Sequence, residues 1–185
     1  FAFILSIFYN GMIDGWNRQG IRDTKDWEIG QGQFWHPEYD QFDPYTIADS
    51  HQPLSDIVID EISTGNIVPL LITQATLYPD GRVQNGIIKG IEPNQNILKL
   101  PTNDLINLQN KYAAIIGTRM AETTKLKVGD RVLIRWRDKD GTFDAREIQV
   151  ASIFRCDVPS VDNGQIYMSL SVLQEMMNLG NEASI

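Results

Sequence analysis

Residues 131–154 read RVLIRWRDKDGTFDAREIQVASIF, and their alternation decides the fold. Val132, Ile134 and Trp136 occupy one side of a strand over Arg131–Arg137, while Leu133, Arg135 and Arg137 occupy the other. Successive side chains of a strand point to opposite faces, so this pattern predicts one buried face and one in water. Asp138-Lys139-Asp140-Gly141 has the composition of a tight turn, and Phe143–Phe154 is predicted to return as the partner strand.

A second hairpin lies upstream, with Ile67–Tyr78 and Arg82–Ile91 flanking Pro79-Asp80-Gly81. Proline presets φ for the first turn position and glycine accepts positive φ. Between the hairpins, Thr102–Gln109 and Thr118–Leu126 read as short helices, each opening on a threonine suited to the N-cap. Downstream, Gln165–Met168 reads as a strand. It leads into a helix over Ser169–Asn178 with Val172, Leu173, Met176 and Met177 on one face. The predicted class is α+β, dominated by hairpins.

Toward the N-terminus the signals change. Phe1 to Tyr9 reads FAFILSIFY, with Ser6 its only clearly polar member. A helix is predicted to run from here to about Arg22. The apolar part would span roughly 13 Å, under half a bilayer core. It has no basic leader region, so a signal peptide fits poorly. Two readings remain: the C-terminal end of a transmembrane helix, or a buried core helix. Asp26–His36 carries aromatic and β-branched residues and reads as a strand thinned by Gly30 and Gly32. Pro37–Ser50 is turn-rich. Pro53–Ser63 places Leu54, Ile57, Val58 and Ile62 at helical spacing before a stop at Gly65.

The 185 residues carry a formal net charge of −8, with 42% apolar and 22% charged residues. This is a globular composition, and its acidic balance argues against general nucleic-acid binding. The single cysteine, Cys156, excludes an internal disulfide and a cysteine-rich zinc site.

Few residues carry chemistry. His36, Glu38, Asp40 and Asp43 fall close together and could hold a divalent metal, as a metal-dependent hydrolase would need. Pro37 and Pro44 instead mark the stretch as a solvated turn. Asp138–Gly141 resembles part of a calcium loop, but the twelfth position is Gln149 and the flanks are strands. Cys156 has Arg155 beside it and no nearby histidine to act as a base. Trp16, Trp27, Trp35 and Trp136 could stack on a ligand or fill a core. No glycine-rich phosphate loop, nucleophile elbow or HExxH pattern occurs. No catalytic, cofactor-binding or metal-binding residue is assigned.

Three stretches taken in order resemble a known family. They are the apolar helix end running through GMIDGWNRQ (11–19) to Gly30-Gln31-Gly32; IIGTRMAETTKLKVGDRV (115–132); and VASIF (150–154), followed by QIYM (165–168) and the helix containing Leu173. The set is similar to the MacB-type periplasmic core domain, found after the first membrane helix in ABC-transporter permeases of the MacB, LolC/LolE and FtsX-like group. The resemblance implies residues 1–22 as the end of that helix and residues 23–94 as the first half of a βαβ porter-like subdomain. Residues 95–185 would form an inserted, hairpin-rich sabre-like subdomain and the start of the return. In that reading Gly117 frees a strand exit, Thr118 caps a helix, and Gly129 permits a tight turn.

Two features depart from the family. The porter-like sheet would be incomplete, exposing an unpaired edge. The hook that recruits a carrier protein in lipoprotein-releasing members is replaced by the Asp138–Gly141 turn. The resemblance implies a non-catalytic part of a permease in the bacterial inner membrane, facing the periplasm. It would couple ATP hydrolysis elsewhere to extrusion or release of a lipoprotein or other amphiphile. Implied partners are an ATP-binding subunit, a second permease copy or homologue, a periplasmic or outer-membrane protein, and the membrane itself. The competing expectation is a soluble, β-rich extracytoplasmic protein-binding module with residues 1–9 in its core.

Overall fold

A computed structural model describes residues 2–106 and 110–185. Its elements mix helix and strand, as the α+β reading anticipated. The chain begins with α1 (Ala2–Thr24), followed by a π-helical turn (Lys25–Ile29), β1 (Gln52–Pro53) and α2 (Asp56–Ser63). Next come β2 (Leu70–Tyr78), β3 (Gln84–Ile91), β4 (Ala113–Gly117), α3 (Thr118–Thr124), β5 (Arg131–Arg137) and β6 (Phe143–Phe154). Then follow α4 (Pro159–Gly164), β7 (Gln165–Ser169), α5 (Leu170–Met176) and β8 (Glu182–Ala183).

Six strands close a barrel in the order β2-β3-β7-β4-β6-β5, with β5 pairing back onto β2. β3 runs parallel to β7, and β4 parallel to β6; the remaining pairs are antiparallel. β5 alternates as its sequence requires, with Val132, Ile134 and Trp136 buried and the intervening residues exposed. Inward residues of all six strands meet in one core that includes Ile88, Ile116, Ile148 and Ile166. Trp136 is 1% exposed, and its indole N–H donates to the Met176 carbonyl at 2.9 Å. Closure satisfies the edges of these six strands, while β1 and β8 pair as a separate two-stranded antiparallel ladder. The barrel also crosses the 94/95 division: β2 and β3 precede it, while their partners β5 and β7 follow.

Several local expectations are corrected. Asp26–His36 is not a strand: α1 passes into the π-helical turn, Gly30 ends it at φ 67°, and residues 32–36 join no ladder. The stretch lacks apolar alternation, so no face of it could be paid for by burial. Thr102–Leu105 makes one 3-10 turn, in which the Thr102 hydroxyl donates to the Pro93 carbonyl instead of capping. The rest of the helix predicted to Gln109 includes residues 107–109, which lie outside the described residues. Thr118 does not cap α3; Gly117 holds the N-cap position and the Thr118 hydroxyl donates to the Phe154 carbonyl at 3.0 Å. Nor does Gly117 serve conformational freedom, since its φ is −74°. A Cβ there would lie 2.3 Å from the Asp162 carbonyl oxygen, so glycine lets α4 pack against the strand end. The loop before β7 contains α4, which the sequence did not announce.

The apolar N-terminal helix is not core. No described residue of α1 is buried, and Phe3 is 77% exposed. No helix among the described residues is long and apolar enough to cross a membrane.

Candidate functional site

The junction between α1 and the barrel brings the half-buried Glu28 against the buried Lys89 and Gln165. It is built on the outer wall, where Lys89 of β3, Tyr167 of β7 and Ile115 of β4 lie side by side in register. Their neighbours Ile88, Ile166 and Ile116 point inward, so the outward row needs a second cover. The π-helical turn supplies part of it. Trp27 stacks on Phe154 with centroids 6.0 Å apart, and Phe154 meets Tyr167 edge-on at 6.2 Å. Leu98, Leu105, Val158 and Val161 complete this second apolar cluster.

Glu28 enters that cover as a charge. Its carboxylate accepts from Gln165 Nε2 at 2.8 Å and Ser160 Oγ at 3.1 Å, and Lys89 Nζ stands 3.8 Å away. The Tyr167 hydroxyl donates in turn to Gln165 Oε1. Burial pulls the Lys89 ammonium below the ordinary lysine range, opposed by the Glu28 carboxylate. Burial likewise pushes the Tyr167 phenol up. Around this centre, Lys99 Nζ pairs with Asp26 at 2.6 Å and the Lys99 amide donates to the Asp26 carbonyl at 2.8 Å. Gln33 Nε2 donates to the Glu28 carbonyl at 3.1 Å. The result is a clamp in which side chains on both sides of the turn fix α1 to the barrel wall.

Beside the clamp opens a groove of about 1010 Å³, walled by residues 31–35, α2, residues 65–70 and the 183–185 segment. Ile29, Phe34, Trp35, Val58, Val68 and Ile97 make it apolar.

The residues singled out in the sequence are dispersed. His36 Nδ1 accepts the Glu38 amide at 3.3 Å, Asp40 accepts the Phe42 amide, and Asp43 accepts the Tyr45 amide. These are local turn bonds, and no group of three or more potential metal ligands occurs among the described residues. Asp138 accepts the amides of Asp140 and Thr142, closing the β5–β6 turn. Cys156 is buried, with its thiol directed at the Val158 carbonyl, and desolvation raises its pKa. Trp136 is core, Trp16 is 72% exposed, and Trp35 stacks on Tyr39 at 4.1 Å. Glu28 and Lys89 escaped the sequence reading. A charge inside Ile87-Ile88-Lys89-Gly90-Ile91 was the available signal for Lys89.

No protein-family model matches the chain, and no curated protein matches it. Among solved structures, it is similar to the extracellular domain of the noncanonic ABC-type transporter YknZ from Gram-positive bacteria. The two share 18% identity over 82% of this chain and 78% of that one, with a TM-score of 0.48. The similarity is loose.

Proposed function

We propose that the chain is the extracytoplasmic domain of an ABC-transporter permease subunit of the bacterial inner membrane, acting as a mechanical element. The observation that carries this reading is the contrast within α1. Its first turns expose apolar side chains, while its far end runs into a clamp that ties it to a closed barrel. A lever needs stiffness at such a joint, and a half-buried ion pair with two further hydrogen bonds and a stacked tryptophan resists bending. The ordered resemblance of three sequence stretches to the MacB-type domain supports the same reading.

In this reading the first turns of α1 continue a membrane helix. An ATP-binding subunit drives the motion, and a second permease copy or homologue moves in concert. The periplasmic barrel then pushes or releases a lipoprotein or other amphiphile, with no catalytic residue of its own. The porter-like reading of 23–94 and the sabre-like reading of 95–185 belong to this proposal, with β2 and β3 of the first shared with the barrel of the second. The competing soluble module required residues 1–9 as core, and the exposure of α1 removes that premise for its described residues.

Labelling of the protein produced from its natural gene tests the proposal. A Phe143→Cys variant places a thiol at an exposed position, while buried Cys156 stays silent. The variant is expected in the membrane fraction and is expected to react with an impermeant maleimide in intact cells. Recovery in the soluble fraction, or labelling only after lysis, would overturn the reading.

A further inference from the structure

The outer face of β5 carries charge that the fold does not use. Arg131, Arg135 and Arg137 lie on this face with Leu133, and all four are exposed. They are three of the chain's nine arginines, gathered on one seven-residue strand of a protein whose net charge is −8. The side chains of Arg131 and Arg135 make no hydrogen bond or ion pair among the described residues. Arg137 Nε donates to the Gly141 carbonyl at 3.1 Å, which engages only one of its donors. Arg135 is also held in place, with its guanidinium carbon 4.1 Å from the centre of the exposed Phe143 ring. A guanidinium seated over a ring keeps its edge N–H groups available for a bidentate carboxylate.

The carboxylates nearby in sequence do not neutralise this row. Asp130 accepts the Lys127 amide, Asp138 accepts the amides of Asp140 and Thr142, and Asp140 is shared between Lys139 and Asn178. Asp144 stands opposite Trp136 and so shares the inward side of its strand. Glu147, opposite Leu133, is the one acid that β5 and β6 place on the outward face. On the other ladder of β5, the outward neighbours are Thr76 and Tyr78, which are neutral. The face is therefore positive, with exposed Leu133 and Phe143 among its charges. Arginines mixed with aromatic and apolar groups are the composition of protein interface centres. Two copies of this face would set arginine against arginine, so it does not pair with itself. A continuous anionic surface would also press its charge on Glu147, whereas a discrete segment can place carboxylates on either side of it.

We infer that the outer face of β5 receives an acidic segment of a partner protein. Arg135 and Arg137 take its carboxylates at one end of the strand and Arg131 at the other, about 13 Å along from Arg135. Apolar side chains of the segment pack on Leu133 and Phe143. This inference does not rest on the permease reading: binding to the chain and placement in the membrane are separate measurements and can fail separately.

The test uses the full chain and synthetic peptides of about ten residues, the length of a long strand. One alternates Glu with Val and the other Lys with Val. Calorimetry is expected to show saturable binding of the Glu–Val peptide, at least about tenfold tighter than the Lys–Val peptide and weakening with salt. That preference runs against the net charge of the chain, so general electrostatic attraction cannot produce it. The double variant Arg135→Glu, Arg137→Glu is expected to abolish Glu–Val binding without moving the thermal midpoint, because both side chains are exposed. The milder Arg135→Gln is expected to weaken binding at least about threefold. Arg155→Glu reverses an exposed charge outside β5 and is expected to leave the affinity unchanged. Equal affinities for the two peptides, no saturable heat, or an equal loss in Arg155→Glu would overturn the inference. So would binding of phosphatidylglycerol vesicles in place of the peptide, lost in the double variant, because the face would then belong to a lipid surface. Light scattering that shows the chain alone associating, and the double variant dispersed, would overturn it in favour of a second copy.

Discussion

The β5–β6 hairpin and the stretch 25–36 both carry tryptophans among β-branched and polar residues, and both read as strand from composition. Only the hairpin is one. Its apolar residues alternate over the whole of β5, and each inward side chain meets the barrel core. The 25–36 stretch offers Trp27 and Ile29, then glycine, glutamine and glycine, so it settles as a turn laid over the outside of the wall. Aromatic content marks a segment that packs against something; period two is what makes it a ladder. The two regions also differ in what holds them. The hairpin rests on buried area, whereas the turn rests on a few polar contacts around Glu28.

Four changes break or sharpen this contrast, beginning with the largest effect. Trp136→Ala removes a core indole and is expected to cost about 4 kcal/mol in urea unfolding. Glu28→Ala attacks the other region, leaving Lys89 buried without its anion. It is expected to cost about 3 kcal/mol, whereas Glu28→Gln should recover part of that by keeping a partner for Ser160. A loss as small as that of a surface residue would show that the clamp is ornamental.

The third change concerns pH. Lys89 binds its proton less tightly folded than unfolded, so burial costs stability below the lowered folded pKa. That cost is released as pH rises toward the ordinary lysine value. The stability of the native chain relative to Lys89→Met should therefore rise between neutral and alkaline pH, measured as the difference between paired unfolding curves. A constant difference would exclude titration of Lys89 in that range. The smallest effect belongs to α1: deleting residues 1–16 should change barrel stability by under about 0.5 kcal/mol, because no described residue of α1 is buried. A larger loss would mean that α1 supports the fold as well as joining it.

Much of the barrel was legible. Both hairpins, their turns, the β7 strand and the α5 helix follow from alternation, turn chemistry and helical spacing, all of which act over a few residues. β4 was visible only as Ile115-Ile116-Gly117, because a strand buried on both faces has no alternation to read. The clamp was not legible at all. Glu28 meets Gln165 across 137 positions of the chain and Lys89 across about a third of it, and nothing local in any of the three announces the other two.

Taken by itself, the sequence determined the elements whose cause is local: which residues alternate, where the chain turns, and how the charges are distributed. The tertiary structure alone decided that six strands close on one another, that the apolar start of α1 stays outside the core, and that a half-buried glutamate meets a buried lysine. Closure and burial depend on contacts between residues far apart in the chain, and such contacts leave no periodic trace in the residues that make them.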